Sequence, residues 1–262
     1  MNAKEIKKYW DGRAVNDATS QATTNDVYMR TIEQREITTT IRRFRQCEGM
    51  KVLDVGCGDG ETTRSVATAC MPLACGPAWF DGMDYSGEMI KIAKKNDPDG
   101  KVTFLVRDIT KRTAGTSEYD VVYTTRCIIN IPTWTVQRRA LSNIRRMLRE
   151  GGIYIMVENF QSGQCNMNRM RARYDLPSIP IRKHNLYLRE NDVFEFMRGI
   201  FKLESMVNIS SSYYIATRVL YAAACKKRKR APDYFSVEHK LASQLPYFGN
   251  CGPIYCLVWR AI

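Results

Sequence analysis

One stretch limits the fold of this chain more than any other. The apolar segment Lys51–Val55 runs straight into Gly56-Cys57-Gly58-Asp59-Gly60 and then into a helix-length segment from Glu61. A strand that turns through three glycines into a helix opens a βαβ unit, and the downstream pattern continues it. Short apolar runs at 78–83, 102–106, 120–124 and 153–157 alternate with helix-length segments at 86–95 and 136–148. In the second of these helices Leu141, Ile144, Met147 and Leu148 recur at helical spacing opposite a face of arginines, and Gly151-Gly152 serves as a stop. The expectation is an α/β, doubly wound, mostly parallel sheet.

The flanks break this rhythm. Residues 1–48 suggest helical segments, with a mixed run from Asp26 to Cys47. Residues 160–188 have no strand period and contain Pro177 and Pro180. A short helix at 192–200 and a strand at 202–209 follow, then a polar and basic excursion from 210 to 253 before a last strand at 254–259. The reading is one domain over 1–262: a core at 50–158, an N-terminal helical cover at 1–48, and substrate-covering insertions at 160–188 and 210–250.

Composition excludes several classes. No apolar run approaches the roughly 20 residues of a membrane span, and Lys4, Lys7 and Lys8 precede no apolar stretch of the kind a secretory leader needs. Nine cysteines, an odd number without Cys-x-x-Cys, point to free thiols in a cytoplasmic, reducing setting. The pairs Cys70/Cys75 and Cys251/Cys256 are loosely spaced and only two histidines exist, so no metal is expected. The net charge of +13 favours an anionic partner: nucleic acid, a phosphorylated or nucleotide-activated substrate, or a membrane surface. Its densest part is Lys226-Lys227-Arg228-Lys229-Arg230, whose plain reading is a solvated loop.

Ligands of open α/β sheets bind beyond the carboxyl ends of the strands. Asp54, Asp59 and Glu61 surround the glycine turn and oppose a pyrophosphate; they suit a cationic ligand. Glu61 stands where the third glycine of a dinucleotide fingerprint would be, and no Gly-Lys-Ser/Thr of a P-loop is present. Asp84, after the second apolar run, can accept from both ribose hydroxyls, and Asp108, after the third, from an adenine amino group. Any one of these acids would pass for a strand-end residue or a cap; three in succession beside this loop form a set.

The segments 52–60, Met83-Asp84-Tyr85-Ser86 and Arg107-Asp108-Ile109 resemble the motifs of class I S-adenosylmethionine-dependent methyltransferases over about residues 50–158. The resemblance implies a seven-stranded sheet with an antiparallel last strand, S-adenosylmethionine as cofactor and S-adenosylhomocysteine as product. By position, Asp54, Gly56 and Gly58 would hold the methionine part, Asp84 the ribose, and Asp108 with Ile109 the adenine. Cys57, Tyr85, Met89 and Thr125 are further expected cofactor contacts. Trp10 and Arg13 resemble a Trp-x-x-Arg found near the start of some members, where the arginine meets the cofactor carboxylate; a surface arginine is the alternative.

An alcohol acceptor benefits from a general base, and His184, in the cover after the fifth strand, has the ordinary pKa for it. Glu158 is expected as base or as the group orienting His184. Arg126 is expected to touch an anionic or polyhydroxyl substrate or to pair with Glu158. Residues 125–132 lack the Asn-Pro-Pro-Tyr of adenine and glutamine methyltransferases. The stretches 127–134, 158–163 and 184–188, with Ser-Ser-Tyr-Tyr-Ile-Ala-Thr-Arg at 211–218, resemble small-molecule methyltransferases that accompany sugar and polysaccharide biosynthesis. That implies O-methylation of a sugar, glycan or nucleotide-sugar hydroxyl, with Trp134, Tyr187, Tyr213 and Tyr214 offering faces to a sugar ring; aromatic core packing is the alternative. Two rivals stand beside it: a nucleic-acid, RNA cap-type methyltransferase favoured by the charge, and a non-catalytic cofactor-binding subunit.

Overall fold

A computed structural model describes residues 1–16, 23–44, 49–70, 78–112 and 118–262. Seven strands form one sheet: β1 Lys51–Val55, β2 Trp79–Asp84, β3 Val102–Val106, β4 Tyr119–Thr125, β5 Leu148–Asn159, β6 Phe201–Asn208 and β7 Ile254–Ala261. Their order is β3-β2-β1-β4-β5-β7-β6. Pairs from β3 to β5 are parallel, and β7 runs antiparallel between β5 and β6. The expected architecture, with its antiparallel last strand, is the one observed.

The central strands are apolar on both sides because both faces are covered. Successive residues feed opposite cores: Val52, Val121 and Ile153 meet α2 (Val27–Phe44) and α3 (Glu61–Cys70), whereas Leu53, Val122 and Tyr154 meet α5 (Trp134–Met147) and α7 (Glu190–Met197). On the first face, α4 (Gly87–Lys95) begins at Ser86, whose hydroxyl accepts from Met89 N at 3.2 Å. The N-terminal helix α1 (Ala3–Asn16) packs on α4.

One local expectation needs correction, and two covers gain detail. Gly151-Gly152 does not stop a helix: α5 ends at Met147, Leu148 is already extended, and Gly151 takes φ +71° inside β5, where the register against β4 shifts. The segment 160–188, read as a cover without strand period, forms helix α6 (Gln161–Ala172) in its first half. The excursion after 210 is largely helical: α8 (Ser211–Tyr214), a π-helical stretch (Ile215–Tyr221) and α9 (Ala222–Lys227) are continuous, and α10 (Val237–Ala242) follows. Cys47 and Cys75 lie outside the described residues. Among the described residues no helix is long and apolar enough to cross a membrane, and no group of three or more His, Cys, Asp or Glu is placed to hold a metal.

Candidate active site

The strand order reverses between β1 and β4, and at that switch point a cavity of about 580 Å³ opens beyond the strand ends. The loop after β1 borders it. Gly56 N and Cys57 N donate to Met83 O at 2.7 and 3.0 Å, and Gly58 N donates to Asp84 Oδ2 at 3.1 Å. Gly56 and Gly58 take φ +79° and +54°. A side chain at Gly56 would run into Cys127, and one at Gly58 would meet Thr23 Cγ2 at 2.7 Å. The glycines therefore serve contacts between protein segments as well as the approach of a ligand.

Four carboxylates face this cavity from consecutive strand ends: Asp54, Asp59, Asp84 and Asp108. Burial raises the Asp54 carboxyl to about 7, against the pull of Thr63 Oγ1, which donates to its Oδ2 at 2.6 Å. Burial likewise raises Asp84 to about 6, held down by the N–H groups of Ser86 and Gly58. Asp108 accepts from Thr110 N and Oγ1 at 2.9 and 2.7 Å. Asp59 accepts from Thr23 Oγ1 and lies 3.9 Å from Arg30 Nη2 of α2, a buried partner that the sequence did not announce. Tyr85 Oη and Thr125 Oγ1 on the cavity wall are buried without a hydrogen-bond partner among the described residues, which fits a polar ligand. This set suits a cationic adenosyl donor: Asp54 and the loop for its ammonium end, Asp84 for the ribose, Asp108 for the adenine. Gly56, Cys57, Gly58, Tyr85, Met89, Ile109 and Thr125 also line the cavity. Arg13 does not, although Trp10 does.

At the other end His184 is 7% exposed and lines the cavity. The Tyr9 ring stacks on its imidazole at 4.3 Å and Trp10 meets it edge-on at 5.6 Å. Burial, then Arg182, pushes its pKa below the ordinary 6.5, so the ring is neutral at neutral pH. Tyr187, Tyr214 and Arg126 share this wall. So do Asn159, Asn185, Gln164, Arg218 and Tyr234, which sequence reasoning had not singled out. Asn159 Oδ1 and Asn185 Oδ1 are buried acceptors without partners among the described residues.

Four expected roles are corrected by the geometry. Glu158 is fully buried, is not part of the cavity wall, and accepts from the backbone N–H groups of Cys127, Ile128 and Ile129 at 2.9, 2.9 and 3.3 Å. It is neither positioned as a base nor bonded to His184; burial lifts its carboxyl to about 7 while those N–H groups oppose the rise. Arg126 pairs not with Glu158 but with Glu33 of α2, through Nε at 3.0 Å and Nη2 at 3.1 Å. It does so from a left-handed backbone conformation (φ 52°) immediately after β4. Trp134 packs edge-on against Phe196 at 6.0 Å, outside the cavity. Tyr213 is 1% exposed and donates to Asp26 Oδ1 at 2.6 Å, so it too is a core residue.

The fold is Rossmann-like, of the kind found in methyltransferases, with an acid-lined cavity at its switch point. Residues 52–152 match the family described as Methyltransferase domain. An O-methyltransferase from Pyrenophora dematioidea is 31% identical over 115 residues, covering 42% of this chain and 40% of that protein. An O-methyltransferase from Aspergillus nomiae is 27% identical over 143 residues, 53% of this chain and 60% of that protein. The chain thus spans about half the length of these curated relatives. Among solved structures, magnesium protoporphyrin IX methyltransferase from Synechocystis, with bound S-adenosylhomocysteine, superposes with a TM-score of 0.62 at 14% identity over 99% of each chain. At that identity the likeness is one of fold.

Proposed function

We propose that this protein methylates a hydroxyl of a sugar-like, polyhydroxyl acceptor, with His184 as general base. The observation that carries the reading is the wall around His184: a buried, neutral imidazole stands in the same cavity as two buried amide oxygens, Asn159 Oδ1 and Asn185 Oδ1, that have no donor among the described residues. Buried acceptors need a partner, and hydroxyls supply one. Tyr187 and Tyr214 add ring faces to the same wall, and two relatives are named O-methyltransferases.

When bound, S-adenosylmethionine would supply an electrophilic methyl group, its sulfonium–methyl bond breaking to leave the neutral thioether S-adenosylhomocysteine. This chain's residues align acceptor and donor, which in an in-line displacement is a large share of the catalysis. The neutral His184 nitrogen takes the hydroxyl proton as the acceptor oxygen forms its bond to carbon, and passes that proton to solvent afterwards.

A screen with label in the donor methyl group over glycosides, nucleotide sugars, short RNA and protein extract tests the acceptor. Label in glycosides is expected; label in RNA alone would sink the sugar reading in favour of the nucleic-acid rival. Binding of donor with no transfer to any acceptor would favour the non-catalytic subunit. For the base, His184→Ala should lower turnover roughly 10²–10⁴-fold while donor affinity survives, and unchanged turnover would remove His184 from the mechanism.

A further inference from the structure

The basic run Lys226–Arg230 lies at the carboxyl end of the helical segment 211–227, where cations suit the helix dipole. That accounts for part of it only. Lys226 Nζ donates to Asp175 O at 2.5 Å, and Arg230 Nη2 lies 3.9 Å from Glu238 Oε1 on α10. Lys227, Arg228 and Lys229 are exposed and have no ion-pair partner among the described residues. Between 226 and 248 six Lys or Arg stand against two acids, Asp233 and Glu238.

The same segment turns apolar side chains outward. In α10, His239 and Ala242 are buried, while Val237 and Leu241, one turn apart, are 67% and 66% exposed. Phe235 and Phe248 are each 55% exposed and Leu245 38%. A set of large apolar residues in water marks an interaction surface. The contact of Arg230 with Glu238 places the cationic run directly beside it.

We propose that this face, residues 226–248, docks on the surface of an anionic lipid bilayer. Aliphatic and phenyl side chains flanked by lysine and arginine combine apolar insertion with attraction to acidic headgroups. Val237, Leu241 and Leu245 have neither rings to stack on bases nor groups to hydrogen-bond them, so beside Phe235 and Phe248 the exposed surface is more aliphatic than a nucleic-acid stacking platform. Tyr234, the neighbour of Phe235, lines the cavity, so docking sets the rim of the methyltransferase site against the membrane.

Co-sedimentation of the full chain with vesicles tests this. Binding is expected to vesicles of phosphatidylcholine with phosphatidylserine, weakening with salt, and not to phosphatidylcholine alone. Leu241→Asp and Phe235→Asp should each weaken the partition about tenfold or more. A paired Lys227→Ala and Lys229→Ala variant should weaken it roughly thirtyfold. Unchanged affinity for S-adenosylhomocysteine in these variants shows that they are folded. No sedimentation with either vesicle overturns the proposal. So does a gel shift of short RNA that these variants abolish without any vesicle binding, or a dimer in solution that Leu241→Asp dissociates.

Discussion

At the end of β5 two neighbouring polar residues have opposite tasks. Glu158 ties down the backbone of 127–129, and Asn159 reaches the cavity, because successive strand side chains point to opposite faces. Glu158→Ala should therefore cost stability, about 3 kcal/mol or more for three buried N–H groups left without an acceptor, read as a lower denaturation midpoint. Asn159→Ala should act mainly on acceptor kcat/KM, about tenfold or more. The carboxyls of Asp84 and Asp54, raised by burial to about 6 and about 7, make a second prediction. A cationic donor favours their ionised forms, so binding releases protons and affinity climbs as pH rises through that window, levelling off above it. Calorimetry in buffers of different ionisation heat measures the release, and proton uptake would contradict the assignment. With the His184 pKa below its ordinary value, the acid limb of kcat/KM should fall below pH 6.5.

At the scale of elements, α2 is held to the end of β4 by charge. Glu33 is fully buried, its carboxyl raised by burial and drawn back by Arg126. Arg126→Ala should destabilise the chain by roughly 3–5 kcal/mol, because it strands a buried carboxylate. Removing Glu33 as well should recover part of that loss, and thermal melts of the double-mutant cycle measure it. The helix at 211–227 was illegible for a related reason. Ser210, Ser211 and Ser212 look like loop residues, yet each hydroxyl is buried and bonded to the backbone: Ser210 Oγ to Ile254, Ser211 Oγ to Cys251 N, Ser212 Oγ to Pro246 O. Tertiary partners outweigh the local preference of serine for turns. Within that helix Tyr213 and Tyr214 diverge, one into the core with Asp26 and the other onto the cavity wall, a division that adjacency in sequence does not disclose.

At the scale of the whole molecule, α1 crosses from its seat on α4 to the acceptor end. Asp11 Oδ1 accepts from Ser86 Oγ at 2.5 Å, Trp10 Nε1 donates to Asn130 Oδ1 at 3.2 Å, and Tyr9 covers His184. The helix thereby joins Ser86, beside the acid-lined end, to His184 at the proposed acceptor end of one cavity. Donor binding should slow hydrogen exchange across Ala3–Asn16, and Trp10→Ala should depress turnover more than it depresses thermal stability. Exchange in α1 that ignores the donor would argue against this role.

The sequence by itself determined the sheet and the gathering of acids at one end of the cavity. Strand periodicity, the glycine turn and acids at successive strand ends are local patterns, and a parallel sheet brings the ends of β1, β2 and β3 together without further instruction. At the proposed acceptor end the sequence offered His184, Tyr187 and Tyr214, and tertiary structure decided the rest of the wall. The walls of that end come from α1, the end of β5, the segment around His184 and the helix at 211–227, which are far apart in the chain. Which side chain turns inward there depends on pairing partners such as Glu33, Asp26 and the 127–129 backbone. No period in the sequence encodes such long-range pairs, because each is selected by the cost of leaving a buried polar group unmatched.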